Sequence, residues 1–313
     1  LLELTLSKAL IDLLPLQRVV VAKAVSEEGI QRWMQVATLD ARGGGSVTDP
    51  LRVEFDKLMT TKRPSFGLWF LIDTGLVDHF LPELKLMRLE QDPIHRHKDV
   101  LTHTIAVVEN VQDDLPREFD FRITRLAALY HDIGKPRTRG FKEGKGVTFH
   151  HHEVVGARLT KNRLKALRFD NDTIDAVETL VALHLRFHGY GDGEWTDSAV
   201  RRYVRDAGDL LTHLHVLTRA DCTTRNAKKA DRLARTYDGL EARIAKLAEE
   251  EELSKIRPDL DGAQVMSLLG IKPSADVGKA LDFLMELRME HGPLGEERAT
   301  EELIQWWKAR RHP

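Results

Sequence analysis

The stretch "RLAALYHDIGKPRTR", Arg125 to Arg139, decides how the rest of the chain is read. Leu126, Ala127, Leu129 and Tyr130 run almost without polar interruption, as in a buried helix. His131 and Asp132 then arrive together, and Gly134 and Pro136 are expected to end the helix. A carboxylate on a buried helix is costly unless a cation or hydrogen-bond donors meet it. The fold therefore has to bring a partner to Asp132.

Composition narrows the field before any partner is named. With 47 Lys and Arg against 49 Asp and Glu, the formal net charge of -2 excludes a globally basic nucleic-acid binder but leaves room for a local basic face. Hydrophobic content of 42% with 31% charge suits a helix-rich globular protein, and 313 residues can hold two or three domains. Cys222 is the one cysteine, so no internal disulfide forms and the expected compartment is the cytoplasm. No apolar run approaches the roughly 20 residues that span a bilayer. The apolar N-terminal segment lacks the basic leader and small-residue cleavage site of a signal peptide. The chain starts on Leu rather than Met, so a fragment is the expectation. Oligomeric state has no signature here.

Helical periodicity carries most of the chain. Leu51, Phe55 and Leu58 in "PLRVEFDKLMT" fall on one helical face. "PSFGLWFLIDTG" has a helix start at Pro64 and a stop at Gly75, and "LVDHFLPELK" follows as a short helix. Five or more helices are expected between His95 and Asp221. "KDVLTHTIAVVENV" is amphipathic. Ile174, Val177, Val181 and His184 share a face, as do Leu210, Leu214, Leu217 and Asp221. The glycine-rich, basic "RGFKEGKGVTFHHHE" reads as an exposed loop. Leu233, Tyr237, Leu240, Ile244 and Leu247 form a four-three seam. The acidic run Glu249 to Glu252 reads as a solvated face, and Asp261 before Gly262 as a helix cap. No strand stands out after residue 50, so the expected fold class is all-α, a helical bundle flanked by further helices.

Nine of the 14 histidines lie between His95 and His188. Among them, His103, His131, His152 and His184 join Asp132 and Asp221 as candidate metal ligands. His184 and Asp221 fall on apolar helix faces, where a lone carboxylate is expensive. Imidazole and carboxylate suit divalent Mn, Fe, Ni, Co, Zn or Mg, and bundle cores build such sites from separate helices. A helix C-terminus beside His131 and Asp132 adds the negative end of its dipole. Each histidine alone reads more readily as a hydrogen-bonded core residue than as a ligand, and Asp221 alone could pair with Arg219 or Arg225. The joint occurrence favours a metal.

The order His103, His131-Asp132, Asp221, with "LYHDIGKP" around the doublet, resembles the HD superfamily of metal-dependent phosphohydrolases. The resemblance implies that these four hold a divalent cation. It also implies that His152, in "HHEVVGA", and His184, in "ALHLRFH", hold a second ion in binuclear members, with His151 the local alternative to His152. One or two ions of Mg, Mn, Ni, Co or Fe are implied, with Asp132 at the centre of phosphoester hydrolysis. Lys135, Arg137 and Arg139 are placed to meet phosphate, and Lys135 reads equally as a solvated lysine. Cys222 reads as a small core residue.

The flanks carry a second resemblance. "RPSFGLWFLIDTGLVDHFLPELKLMRLEQDPIHRHKDVLTH" is similar to the neck of bacterial CCA-adding tRNA nucleotidyltransferases, running into their HD domain. "LTRADCTTRNAKKADRL" and "IRPDLDGAQVMSLLGIKPSADVGKALDFLMELRMEHG" resemble the distal part of the actinobacterial branch. The implied layout is a neck over 51–92, an HD domain over 93–225 and a helical RNA-binding tail over 226–313. The implied partner is a tRNA or RNA 3′ end, with Arg225, Lys228 and Lys229 contacting phosphates. By charge alone, "TTRNAKKADR" is an ordinary solvated helix.

That family's nucleotidyltransferase head needs a Gly-Gly-x-Val-Arg-Asp turn and an Asp-x-Asp strand. "GGSVTD", Gly44 to Asp49, matches five of six positions, with Thr48 in place of Arg, but no suitable strands flank it. Residues 1–50 are thus expected to be a truncated, frame-shifted or divergent remnant, with nucleotide addition lost. The functions in competition are an HD phosphohydrolase acting on phosphate monoesters or cyclic phosphodiesters, a non-catalytic RNA-binding body, and a fragment of a complete CCA-adding enzyme.

Overall fold

The computed structural model describes residues 48–89, 99–111, 119–143, 146–187, 195–224, 226–251 and 256–311. The chain before Thr48, including most of the Gly44–Asp49 stretch, and Arg225 lie outside these residues, so the readings placed on them find no structural counterpart here.

The helices are α1 (Thr48–Met59), α2 (Pro64–Asp73), α3 (Glu83–Leu86), α4 (Val100–Asn110), α5 (Phe121–Tyr130), α6 (Lys135–Thr138), α7 (His152–Ala166), α8 (Asn171–Leu183), α9 (Asp197–Ala207), α10 (Leu211–Asp221), α11 (Ala227–Glu251), α12 (Gly262–Leu269), α13 (Ala275–His291) and α14 (Glu296–Arg311). The expected all-α class holds. Two details differ. "LVDHFLPELK" splits into a 3₁₀ turn, Leu76–His79, and α3, because Pro82 has no N–H with which to continue a helical ladder. The stretch expected as a loop contains a small antiparallel hairpin, β1 (Gly140–Lys142) and β2 (Gly146–Thr148), with Phe141 opposite Val147. Such short, glycine-rich strands leave no period-2 pattern to read.

The chain divides into two compact units. One holds residues up to 187 together with 212–230; the other holds 188–211 and 231–313.

In the first unit, α5 is the central element, with every side chain from Ile123 to Tyr130 buried. Helices α1, α4 and α8 pack against it, and α7 packs on α8. Aspartate caps start three of these helices. Asp99, Asp120 and Asp170 accept from the backbone N–H groups of Thr102, Arg122 and Thr173, satisfying donors that a helix start leaves open. At the other ends a cation does the corresponding work. Arg125 is 1% exposed. Its guanidinium donates to the carbonyls of Met59 (2.9 Å), Thr61 (2.6 Å) and Val111 (3.1 Å). It closes the C-terminal turns of α1 and α4, where helix carbonyls lack partners and the dipole favours positive charge.

Gly134 is needed for space. Its φ of -77 is open to any residue, but a Cβ there would sit 2.2 Å from the His152 carbonyl oxygen and 2.8 Å from the Gly156 nitrogen. The α5–α6 turn and the first turn of α7 touch backbone to backbone. Reading Gly134 and Pro136 as helix terminators therefore missed their larger role, since Pro136 opens the short helix α6.

In the second unit, α12, α13 and α14 enclose Leu260, Val265, Ala280, Leu284, Ala299 and Leu303, with Trp306 stacked on Phe283. Asp261 caps α12 in a reciprocal pair with Gln264, as expected. The α11 seam buries Tyr237, Leu240 and Leu247. Glu251 corrects the reading of a solvated acidic run. Its carboxylate is buried and accepts two bonds from Arg201, at 2.9 and 2.6 Å, with Arg288 at 3.5 Å. A partner fifty residues away in sequence gives no local signal.

Replacing Arg125 by Leu should destabilise the first unit by about 3 kcal/mol, because three carbonyls, two of them in buried bonds, lose their donor. Gly134→Ala should cost roughly 1–3 kcal/mol from backbone overlap. Urea unfolding measures both, and a midpoint unchanged from wild type in either variant would contradict the corresponding assignment.

Candidate metal centre

Five elements converge on one buried polar cluster. His103 comes from α4, and His131 with Asp132 follow α5. His152 opens α7, His184 ends α8, and Asp221 ends α10. His131, Asp132, His152 and His184 are buried; His103 and Asp221 each keep 19% of their side chains exposed.

The imidazoles share one local device. His131 Nδ1 lies 2.7 Å from the Ala128 carbonyl, His152 Nδ1 2.8 Å from that of Phe149, and His184 Nδ1 2.7 Å from that of Val181. Each carbonyl belongs to the residue three positions earlier. A carbonyl only accepts, so each Nδ1 carries a proton, and Nε2 is the nitrogen that offers a lone pair whenever the ring is neutral. His103 Nδ1 is hydrogen-bonded to Thr223 Oγ1 at 3.0 Å, a hydroxyl that can serve as donor or acceptor.

The Nε2 atoms then gather around the two carboxylates. His103 Nε2 is 2.8 Å from Asp221 Oδ1 and 3.8 Å from Asp132 Oδ2. His131 Nε2 is 3.2 Å from Asp132 Oδ2, 3.6 Å from Asp221 Oδ1 and 3.3 Å from His103 Nε2. On the other side of Asp132, His152 Nε2 stands 3.3 Å from Oδ1. Donor atoms around one cation at about 2.1 Å sit roughly 3.0–3.4 Å apart. Among the described residues, His103, His131 and Asp132 form one group able to hold an ion, and Asp132, His152 and His184 form a second. Asp132 belongs to both.

Two further features test the fit. The Nε2 atoms of His152 and His184 are buried with no hydrogen-bond partner, a costly state for a polar atom unless a ligand takes the lone pair. Two Nε2 atoms 3.3 Å apart also repel unless a proton or cation lies between them. The donor set fits a divalent cation.

The electrostatics agree. Burial opposes charge on His131, but the Asp132 and Asp221 carboxylates outweigh it and push the ring up to about 9. Burial also opposes charge on Asp132, yet His131 and Lys135 hold it well below the usual carboxylate range. Asp221 is held down in the same way against its burial, chiefly by His103 and His131. Burial, and then the charge of His131, depress His184 to about 3. The pocket thus keeps ionised carboxylates beside a neutral His184, as ligation requires.

The other expected residues are placed less uniformly. Lys135 reaches into the cluster, its Nζ 2.7 Å from Asp132 Oδ2 and 5.6 Å from the Phe149 ring centroid. It is therefore no free loop lysine. Arg137, Arg139, Lys228 and Lys229 are exposed. His151 turns outward with 83% of its side chain exposed, in a left-handed conformation at φ 60 that aims His152 inward. Asp221 faces His103. Cys222 is half-buried. Residues with no sequence signal also support the site. Thr223 orients His103, and Asn110 Nδ2 donates to the Ala220 carbonyl at 2.8 Å, holding the end of α10.

Residues 100–252 match the HD domain family, and residues 51–87 match the family described as a probable RNA and SrmB-binding site of polymerase A. The chain is similar to a CC-adding tRNA nucleotidyltransferase of Thermus thermophilus, 32% identical over 83% of this chain and 57% of that protein. It is similar to an A-adding tRNA nucleotidyltransferase of Deinococcus radiodurans, 31% identical over 82% of this chain and 58% of that protein. A multifunctional CCA protein of Vibrio campbellii matches at 28% over 53% of this chain and 39% of its own length. The chain thus spans a little over half the length of the first two relatives. It is a distant homologue of tRNA nucleotidyltransferase family proteins that carry an HD domain and an RNA-binding region.

Proposed function

We propose that this chain carries a divalent-metal-dependent phosphohydrolase site of the HD type within a tRNA nucleotidyltransferase family protein, acting on phosphate monoesters or cyclic phosphodiesters at RNA ends. The observation that carries the reading is the convergence of four imidazoles on two carboxylates, the buried Asp132 and the part-buried Asp221. His103, His131, Asp132 and Asp221 would hold one ion, and Asp132, His152 and His184 a second. When bound, a divalent cation supplies Lewis acidity toward a phosphoryl oxygen and lowers the pKa of water.

The chain's own residues do the rest. The carbonyls of Ala128, Phe149 and Val181 fix the ring tautomers before any substrate arrives. Asp132, kept ionised by His131 and Lys135, is the shared acceptor of the site. The Lys135 ammonium carries three donors and gives one to Asp132, which leaves it suited to meet a phosphoryl oxygen at the rim. Arg137 and Arg139 would draw the remaining phosphates of an RNA end.

An RNA partner is supported by the match at residues 51–87, with Lys228 and Lys229 as exposed backbone contacts. The layout of a neck over 51–92, an HD domain over 93–225 and a tail over 226–313 is part of this proposal, as is the actinobacterial branch, which rests on the distal segments. A cytoplasmic setting rests on the lone cysteine. No helix among the described residues is long and apolar enough to cross a membrane. The match at 51–87 also favours a second reading, an RNA-binding body with a structural HD domain.

The purified chain should contain divalent metal and hydrolyse p-nitrophenyl phosphate or 2′,3′-cyclic AMP. Asp132→Ala should lower turnover by more than about 100-fold, beyond what losing an outer-shell partner costs, while tRNA binding persists in a gel-shift assay. Unchanged turnover in the variant would refute the site, and a metal-free, inactive wild type that still binds tRNA would leave the second reading. Incorporation of CTP and ATP into tRNA lacking its 3′ end tests nucleotide addition separately.

A further inference from the structure

The hairpin between the two ligand-bearing segments has no role in the account so far. It leaves α6 at Gly140 and returns at Thr148, one residue before Phe149. Phe149 belongs to the site from two directions. Its carbonyl accepts from His152 Nδ1, and its ring lies 5.6 Å from Lys135 Nζ. The foot of the hairpin is therefore the rim of the metal centre.

Side chains alternate along a strand, and opposed residues of an antiparallel pair share a face. Phe141 stands opposite Val147, so the two share one face of the hairpin. Phe149, whose ring meets Lys135, follows directly after β2 and joins that hairpin to the centre. Phe141 is 74% exposed, the most exposed large apolar residue among those described. Nothing in its surroundings rewards that exposure, since an apolar ring in water forgoes most of its burial free energy. The nearby charges say what would cover it. Arg137 and Arg139, in the segment leading into β1, are exposed, and Lys135 lies at the inner end. An unburied aromatic ring on a hairpin entered through a basic segment suits a ligand with an anionic part and a flat π-face, as in single-stranded nucleic-acid sites.

We propose that Phe141 is a base-stacking residue of a nucleotide subsite, so that the centre prefers phosphoesters carrying a nucleobase over those with a plain alkyl group. The proposal rests on the phosphohydrolase reading for its position beside the centre, and it makes a binding claim of its own. The phosphoryl group goes to Lys135 and the ligand cluster, and the base lies over Phe141. Stacking of one base on one aromatic ring is worth roughly five- to a hundredfold in affinity.

Calorimetric titration of the full chain with adenosine monophosphate and with glycerol phosphate tests this without turnover. Phe141→Ala should weaken adenosine monophosphate binding by about tenfold or more and leave glycerol phosphate unchanged. Phe141→Trp should restore the preference. The same split should appear in KM rather than kcat if the chain hydrolyses both. An inactive wild type that still shows the split in binding would sink the hydrolase reading and keep the subsite. An equal loss for both ligands, no loss for either, or no binding of adenosine monophosphate to wild type would overturn the proposal. So would a dimer that dissociates on Phe141→Ala, which would make the ring a contact between copies.

Discussion

Two carboxylates and the Nε2 atoms of four imidazoles, gathered so that each ligand group lies within 4.8 Å, call for a positive centre among them. Asp132 is almost fully buried, and burial alone would favour its neutral form. The fold instead surrounds it with His131, His152 and Lys135 at 3.2, 3.3 and 2.7 Å. Without a metal, a proton on His131 supplies part of the missing charge, and that ring is pushed up to about 9 for this reason. The proton leaves two faults unrepaired. His152 and His184 keep buried Nε2 atoms without hydrogen bonds. A cation shared through Asp132 would remove both faults at once.

Much of the first unit can be understood as holding these groups in place. Gly134 lets the turn after Asp132 meet the first turn of α7 backbone to backbone, which sets His152 against Asp132. The left-handed His151 turns the chain so that His152 points inward. Arg125 closes the ends of α1 and α4 from the centre of α5, so the helix leading to the His-Asp doublet is anchored by three hydrogen bonds, two of them buried. Such anchoring matters for a metal centre because ligand positions must be set before the ion arrives.

How much of this was legible in the sequence depends on the range of each signal. The all-α class, the helix bearing His184 and the cap at Asp261 rest on local periodicity and local hydrogen bonds, and they read directly. The His131-Asp132 doublet read as costly because its own helix is apolar, and the same reasoning picked out Asp221 and His184. The choice between His151 and His152 turns on one backbone angle and stayed open. Gly134 looked like a terminator because its steric reason lies on another helix. Glu251 looked solvated because its partners, Arg201 and Arg288, are distant in sequence. The hairpin was missed because three-residue strands have no period to detect, and it carries the most exposed large apolar residue among those described.

The central claim is that the six converging side chains are built around divalent cations. Thermal unfolding of the chelator-treated chain, titrated in turn with magnesium, manganese, cobalt, nickel and iron(II), tests it most directly. An ion that binds only the folded state stabilises it by about 2.7 kcal/mol at a hundred times its Kd. The account predicts a midpoint that rises with concentration for at least one of these ions in the wild type and does not rise in Asp132→Ala. A wild-type midpoint indifferent to every one of them would contradict it.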